Sequence, residues 1–227
     1  MTSLNIYSAI RTIDRECLVE VSRTPSWHMI LPFAVLVPTT LIPNGSAISL
    51  GLVLLTLAIV KGSRASTLAF KDSDWKRWAV IGIGAGIVLW AFSHFIMDPA
   101  VEHLLGKIDL SSFAAVKGNL VNYLILLAIG IVYGGVIEEL VYRGFVIGWG
   151  TELFGEHAAV PLLLLSSIVF GLGHLYQSGS GAISAGLTGL AFGAIYLAAG
   201  RKLLPAMLAH MTLDSIGITM LYLGYTA

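Results

Sequence analysis

The chain has 227 residues, 56 % of them hydrophobic and 11 % charged, with a mean hydropathy of +0.85, which excludes an ordinary soluble globular domain and points to a membrane protein. Thirteen Lys and Arg balance thirteen Asp and Glu, and no basic tract occurs, so the electrostatic footprint of a nucleic-acid binder is missing. The lipid bilayer is the partner that this composition implies.

Residues 4–24, within an N-terminal interfacial segment 1–27, place Ile6, Ile10, Ile13, Leu18 and Val21 at roughly helical spacing among charges. That pattern fits a helix lying in the membrane interface and equally a solvated amphipathic helix. The charges from Arg11 to Arg23 precede the apolar run that begins near Met29, which argues against a cleavable signal peptide. Cys17, the single cysteine, has no internal disulfide partner and reads as a plain thiol near the membrane surface. Apolar segments follow at 29–42, 47–60, 78–97, 119–149, 158–175, 181–199 and 203–224. The first two are short for a core that needs about 20 helical residues. They meet at Pro43-Asn44-Gly45, as two tilted spans or as a re-entrant hairpin. The expected fold is all-α: a polytopic transmembrane helical bundle of about seven membrane segments, six to eight, forming one integral membrane domain over 1–227. Residues 181–199 carry Gly189 and Gly193 among further small residues, a surface for close helix approach to which no chemistry is assigned.

Short cytoplasmic loops collect Lys and Arg. With the N-terminus cytoplasmic, Arg11, Arg15, Arg23, Lys61, Arg64, Lys71, Lys76, Arg77, Arg201 and Lys202 fall inside, and Lys107 and Lys117 fall outside. The expected location is the cell membrane (plasma or inner), multi-pass, with the C-terminus outside. Trp75, Trp78 and Tyr222 read as interfacial anchors.

An ionisable side chain in a membrane helix costs several kcal/mol on insertion scales and persists chiefly beside a partner or a polar cavity. Glu138 and Glu139 stand side by side in an apolar run and point about 100° apart on an α-helix. Arg143, four residues after Glu139, is expected to neutralise it, leaving Glu138 the less compensated carboxylate and the general base. His174 follows Phe170 by one turn, with Gly171 and Gly173 leaving the backbone open around it. His210 precedes Asp214 by four residues, so that the carboxylate can hold the imidazole in one tautomer.

Glu138-Glu139-x-x-x-Arg143, Phe170-x-x-x-His174 and His210-x-x-x-Asp214, in this order on three successive apolar regions, resemble the CPBP family. That family comprises CAAX-prenyl endopeptidases together with bacteriocin-processing and bacteriocin-immunity (Abi) proteins. The resemblance covers about residues 119–224 and implies an intramembrane endopeptidase acting on a protein or peptide, lipidated or membrane-anchored. In that reading Glu138 and His174 activate a water, His210 with the residue four later polarises the scissile carbonyl, and Glu139 and Arg143 support the site. Aspartate stands at 214 where many members carry asparagine, and its expected task is to orient His210. Two mechanisms stay open. In one, Glu139, His174 and His210 bind Zn²⁺, the His₂Glu composition of a catalytic zinc site, and Glu138 is the base. In the other, no metal takes part. A non-proteolytic scaffold or immunity-type protein and a proton-coupled transporter are the competing functions. A water-filled cavity opening toward the cytoplasm is expected, because the outer half offers few other polar residues. His94, Asp98, His28, His103, Glu152, Glu156 and His157 read as interfacial or as turn residues rather than chemical ones.

Overall fold

The computed structural model describes residues 45–59, 63, 67, 68 and 74–225; the stretch 4–24, the segment 29–42, Cys17 and the turn residues Pro43 and Asn44 lie outside them. The described elements are helices: α1 (Gly45–Ile59), α2 (Trp75–Leu105), α3 (Leu120–Phe154), α4 (Glu156–Leu172), α5 (Leu175–Ala198) and α6 (Leu203–Leu223). No strand occurs among the described residues, and the expected all-α bundle is what forms. By length and composition, α2, α3, α5 and α6 can each cross a membrane, and α4 is a shorter apolar helix. Fully buried Glu139 and Arg143 contrast with exposed Val80, Val88 and Val121. Apolar outside and charged inside is the distribution a lipid-facing bundle requires.

Local sequence explains the ends and the irregularities. Asn119 starts α3 by accepting a hydrogen bond from the Asn122 amide at 3.1 Å. Gly224 ends α6 in the left-handed region at φ 82°, where its amide reaches back to Leu221 and that of Tyr225 to Met220. Two helices are not regular. In α2, Ser93–Met97 widens into a π-helical turn just before Pro99, which has no N–H to give and whose ring crowds the preceding turn. The helix therefore runs on to Leu105 rather than stopping at 97 as hydropathy suggests. In α3, Gly130–Glu138 and Leu140–Trp149 are both π-helical, so the first motif sits on a widened helix and not on the α-helix assumed from the sequence.

Glycines set how closely the helices meet. A Cβ on Gly82 or Gly86 of α2 would stand 2.6 Å from the Pro205 carbonyl oxygen or 2.5 Å from that of Ala209, so α2 and α6 run parallel in backbone contact. α3 runs antiparallel to α6, with Gly130 against Ile218 and Gly134 against Asp214, and α4 runs antiparallel to α5. One end of the bundle gathers Lys76, Arg77, Arg201 and Lys202; Lys202 Nζ lies 4.7 Å over the Trp78 ring and Arg201 pairs with Glu156. The opposite end carries Lys107 and Lys117, with the Gly118 amide bonded to the Tyr222 carbonyl and the Asp109 amide to that of Gln177.

Candidate active site

α3, α4 and α6 deliver the three motifs to one place. Arg143 and Glu139 are both fully buried and pair at 2.8 Å, as their i,i+4 spacing predicts; a π-helical turn still leaves residues four apart close to one face. Arg143 uses a second nitrogen to donate to the Gly189 carbonyl at 2.7 Å. Its guanidinium also lies 5.0 Å from the Phe170 ring and 5.4 Å from Phe192, an aromatic cage that compensates the buried charge. Gly189 therefore has a part in the site beyond the helix packing read from sequence, since a Cβ there would come within 2.9 Å of Phe170.

The same Glu139 oxygen accepts a hydrogen bond from His210 Nδ1 at 2.8 Å. With that proton committed, Nε2 is the ring atom left to react, and it stands 3.6 Å from Asp214 and 3.9 Å from Glu138. Phe192 stacks on the His210 ring at 4.5 Å and 22°, fixing its plane. Glu139 and Phe192 thus hold the His210 ring, while Asp214, expected to orient it, sits at ion-pair rather than hydrogen-bond distance from Nε2. Gly134 permits this closeness: a Cβ there would lie 2.7 Å from the Asp214 carboxylate and 3.4 Å from His210 Nε2.

His174 lies at the end of α4, where its Nδ1 and the Phe170 carbonyl are 2.8 Å apart. A carbonyl only accepts, so Nδ1 carries the proton and Nε2 presents a lone pair. Phe170 packs 4.7 Å from the His174 ring and 5.9 Å from that of His210, and so spaces the two histidines. Among the described residues Glu138 makes no hydrogen bond, and it faces His210 Nε2 at 3.9 Å.

A cavity of about 290 Å³ reaches this cluster. His174, His210, Asp214, Phe170 and Phe192 line its inner part, and Trp90, His94, Asp98, Glu102, Gln177 and Tyr225 line the rest; Glu138 is not in the lining. Sequence reasoning expected an opening toward the basic end. The lining instead extends toward the end that carries Lys107 and Tyr225, because α2 continues past 97 and brings His94, Asp98 and Glu102 into one lining with residues of α5 and α6. His94 and Asp98, read as interfacial, are cavity residues, and Glu102, not singled out from sequence, joins them. Phe192, buried among small residues of α5, carried no sequence signal of its own.

The zinc ligands considered above, Glu139, His174 and His210, each hold another partner in this arrangement. Glu139 is already shared between Arg143 and His210 Nδ1, and among the described residues no three His, Cys, Asp or Glu side chains are grouped so as to hold a metal ion. Neither the curated proteins nor the solved structures give a match. Residues 120–216, somewhat less than half of the chain, match the family model of the type II CAAX prenyl endopeptidase Rce1-like proteins; the matched stretch holds all three motifs and bears out the CPBP resemblance.

Proposed function

We propose that this protein is an intramembrane endopeptidase that hydrolyses a peptide bond of a membrane-anchored or lipidated substrate. One observation carries the reading: Glu138, Glu139 and Asp214 all lie within 3.9 Å of a ring nitrogen of His210, and His210 itself lines a cavity that also reaches His174. Isolated carboxylates are costly in a bilayer. Three around one imidazole, with Arg143 behind them, form a preorganised polar centre suited to developing charge.

In the proposed reaction, water gives a proton to Glu138 while hydrogen-bonding to His174 Nε2, and its oxygen bonds to the scissile carbonyl carbon. His210, protonated at both nitrogens and compensated by the surrounding carboxylates, donates from Nε2 to the oxyanion. The C–N bond then breaks, and the proton held by Glu138 passes to the leaving amine. Glu139 and Arg143 position His210. No metal enters these steps, and cleavage by purified protein should change by less than about twofold after strong chelation. Loss of activity that added zinc restores would demand the metal version instead.

The decisive test compares membrane and secreted proteomes of cells carrying wild-type protein or Glu138→Gln, with new termini mapped by mass spectrometry. A polypeptide left uncut only in the variant establishes proteolysis and names the substrate. Identical termini would favour the non-proteolytic scaffold.

The basic end is proposed to face the cytoplasm, which puts the cavity mouth on the opposite side of the cell membrane. With Cys17 replaced by Ser, Gln177→Cys should react with an impermeant thiol reagent on intact cells and Lys202→Cys should not. The reverse pattern would invert the topology.

A further inference from the structure

We propose that Asp98 forms a substrate subsite that takes a cationic side chain, Lys or Arg, about three or four residues from the scissile bond. The inference rests on the proteolytic reading and names the class of peptide the cavity selects. Its basis is the wall of the cavity facing away from the motifs. Asp98 lies on α2, and its two oxygens accept from Ser93 Oγ at 3.0 Å and from Ser184 Oγ of α5 at 2.5 Å. Hydroxyls on two helices fix the carboxylate in place without neutralising it, and each oxygen keeps acceptor capacity. The lining carries the carboxylates of Asp98, Glu102 and Asp214 and contains neither Lys nor Arg. Glu102 is compensated by Lys107 at 2.5 Å, on the exposed side of the mouth. Asp214 faces His210. Asp98 is therefore the carboxylate in the cavity whose partners are uncharged.

The spacing follows from α5. Ser184 lies about two turns, roughly 12 Å, from Phe192, which stacks on His210. An extended peptide advances about 3.3 Å or slightly more per residue, so three or four residues bridge the two points. A cation held there gains a charge-assisted hydrogen bond from a half-buried carboxylate, whereas an acidic side chain meets like charge. His94 stacks on Trp90 at 5.4 Å beside the carboxylate and supplies an aromatic wall for the aliphatic stem.

The experiment measures binding separately from cleavage. Full-length Glu138→Gln protein in nanodiscs is titrated with short fluorescent apolar peptides that carry one Lys, one Glu or neither at successive positions. At the best position the Lys peptide should bind about tenfold more tightly than the Glu peptide, and adding Asp98→Asn should reduce that ratio to about two or less. Asn keeps acceptor capacity toward one serine, and Ser184→Ala serves as a second variant, expected to lower the same ratio about threefold by releasing the carboxylate. Equal binding of Lys and Glu peptides at every position, or a Lys preference that survives Asp98→Asn in folded protein, overturns the subsite. Wild-type protein is assayed on the same peptides for cleavage. An Asp98-dependent Lys preference without Glu138-dependent cutting would keep the subsite and sink the protease reading; cutting with no charge preference would do the opposite.

Discussion

Glu138→Gln should lower the rate of peptide cleavage by about a thousandfold, within the range that general-base catalysis contributes, while the protein keeps its wild-type melting temperature. The reason lies in how differently two adjacent glutamates are held. Among the described residues Glu138 pairs only with His210 Nε2, at 3.9 Å, so exchanging its carboxylate for an amide breaks no close ion pair and leaves the shape intact. Glu139→Gln is the control that gives this result meaning. Its carboxylate bonds Arg143 and His210 at 2.8 Å each, and neutralising it strands a buried guanidinium. That variant should lose activity and thermal stability together. Melting curves in detergent and steady-state cleavage of one peptide, run side by side on both variants, provide the check. A Glu138→Gln enzyme that cuts at the wild-type rate would remove Glu138 from the chemistry. One that unfolds as early as Glu139→Gln would make the residue structural.

The Glu139–Arg143 pair was legible from sequence because both partners lie on one helix, where a spacing of four residues brings side chains together under α- or π-helical winding. The apolar segments were legible for a similar reason: lipid imposes their composition along continuous stretches. Contacts between helices were not. His210 has a carboxylate four residues away on its own helix, yet its Nδ1 bonds Glu139 of α3, seventy-one positions earlier in the chain. What decides between them is the close approach of α3 to α6 at Gly134, and a glycine announces such an approach only once the opposing helix is known. Asp98 and His94 were misread for another reason. Hydropathy falls at Asp98-Pro99, which looks like the end of a span, but the π-helical turn at Ser93–Met97 absorbs the proline and carries the helix on to Leu105. Polar residues facing a cavity and polar residues facing the interface have the same composition, and only packing separates them.

Arg143→Met should cost about 3–5 kcal/mol, the typical penalty for breaking a buried ion pair by removing one partner, and most of the protein should fail to reach the folded state. Arg143 is fully buried, bonds Glu139 and the Gly189 carbonyl, and lies among Phe170, Phe192 and Tyr142. Methionine fills a similar volume against those rings, so packing changes little and the loss comes from a carboxylate left without its cation. Two further variants separate charge from shape. Arg143→Lys keeps the charge but cannot reproduce a planar group that reaches Glu139 and Gly189 at once, and it should recover only part of the stability. The double variant Glu139→Gln with Arg143→Met removes both charges from the interior, and replacing a buried pair by uncharged groups is often neutral. It should therefore recover much of the folded yield. It should remain inactive, since His210 Nδ1 then meets an amide that cannot compensate an imidazolium. Folded yield by fluorescence-detected size exclusion, melting temperature and cleavage rate give the readings. If Arg143→Met folds like wild type, the pair is not what stabilises this part of the bundle; if the double variant cuts peptide normally, Glu139 has no part in positioning His210.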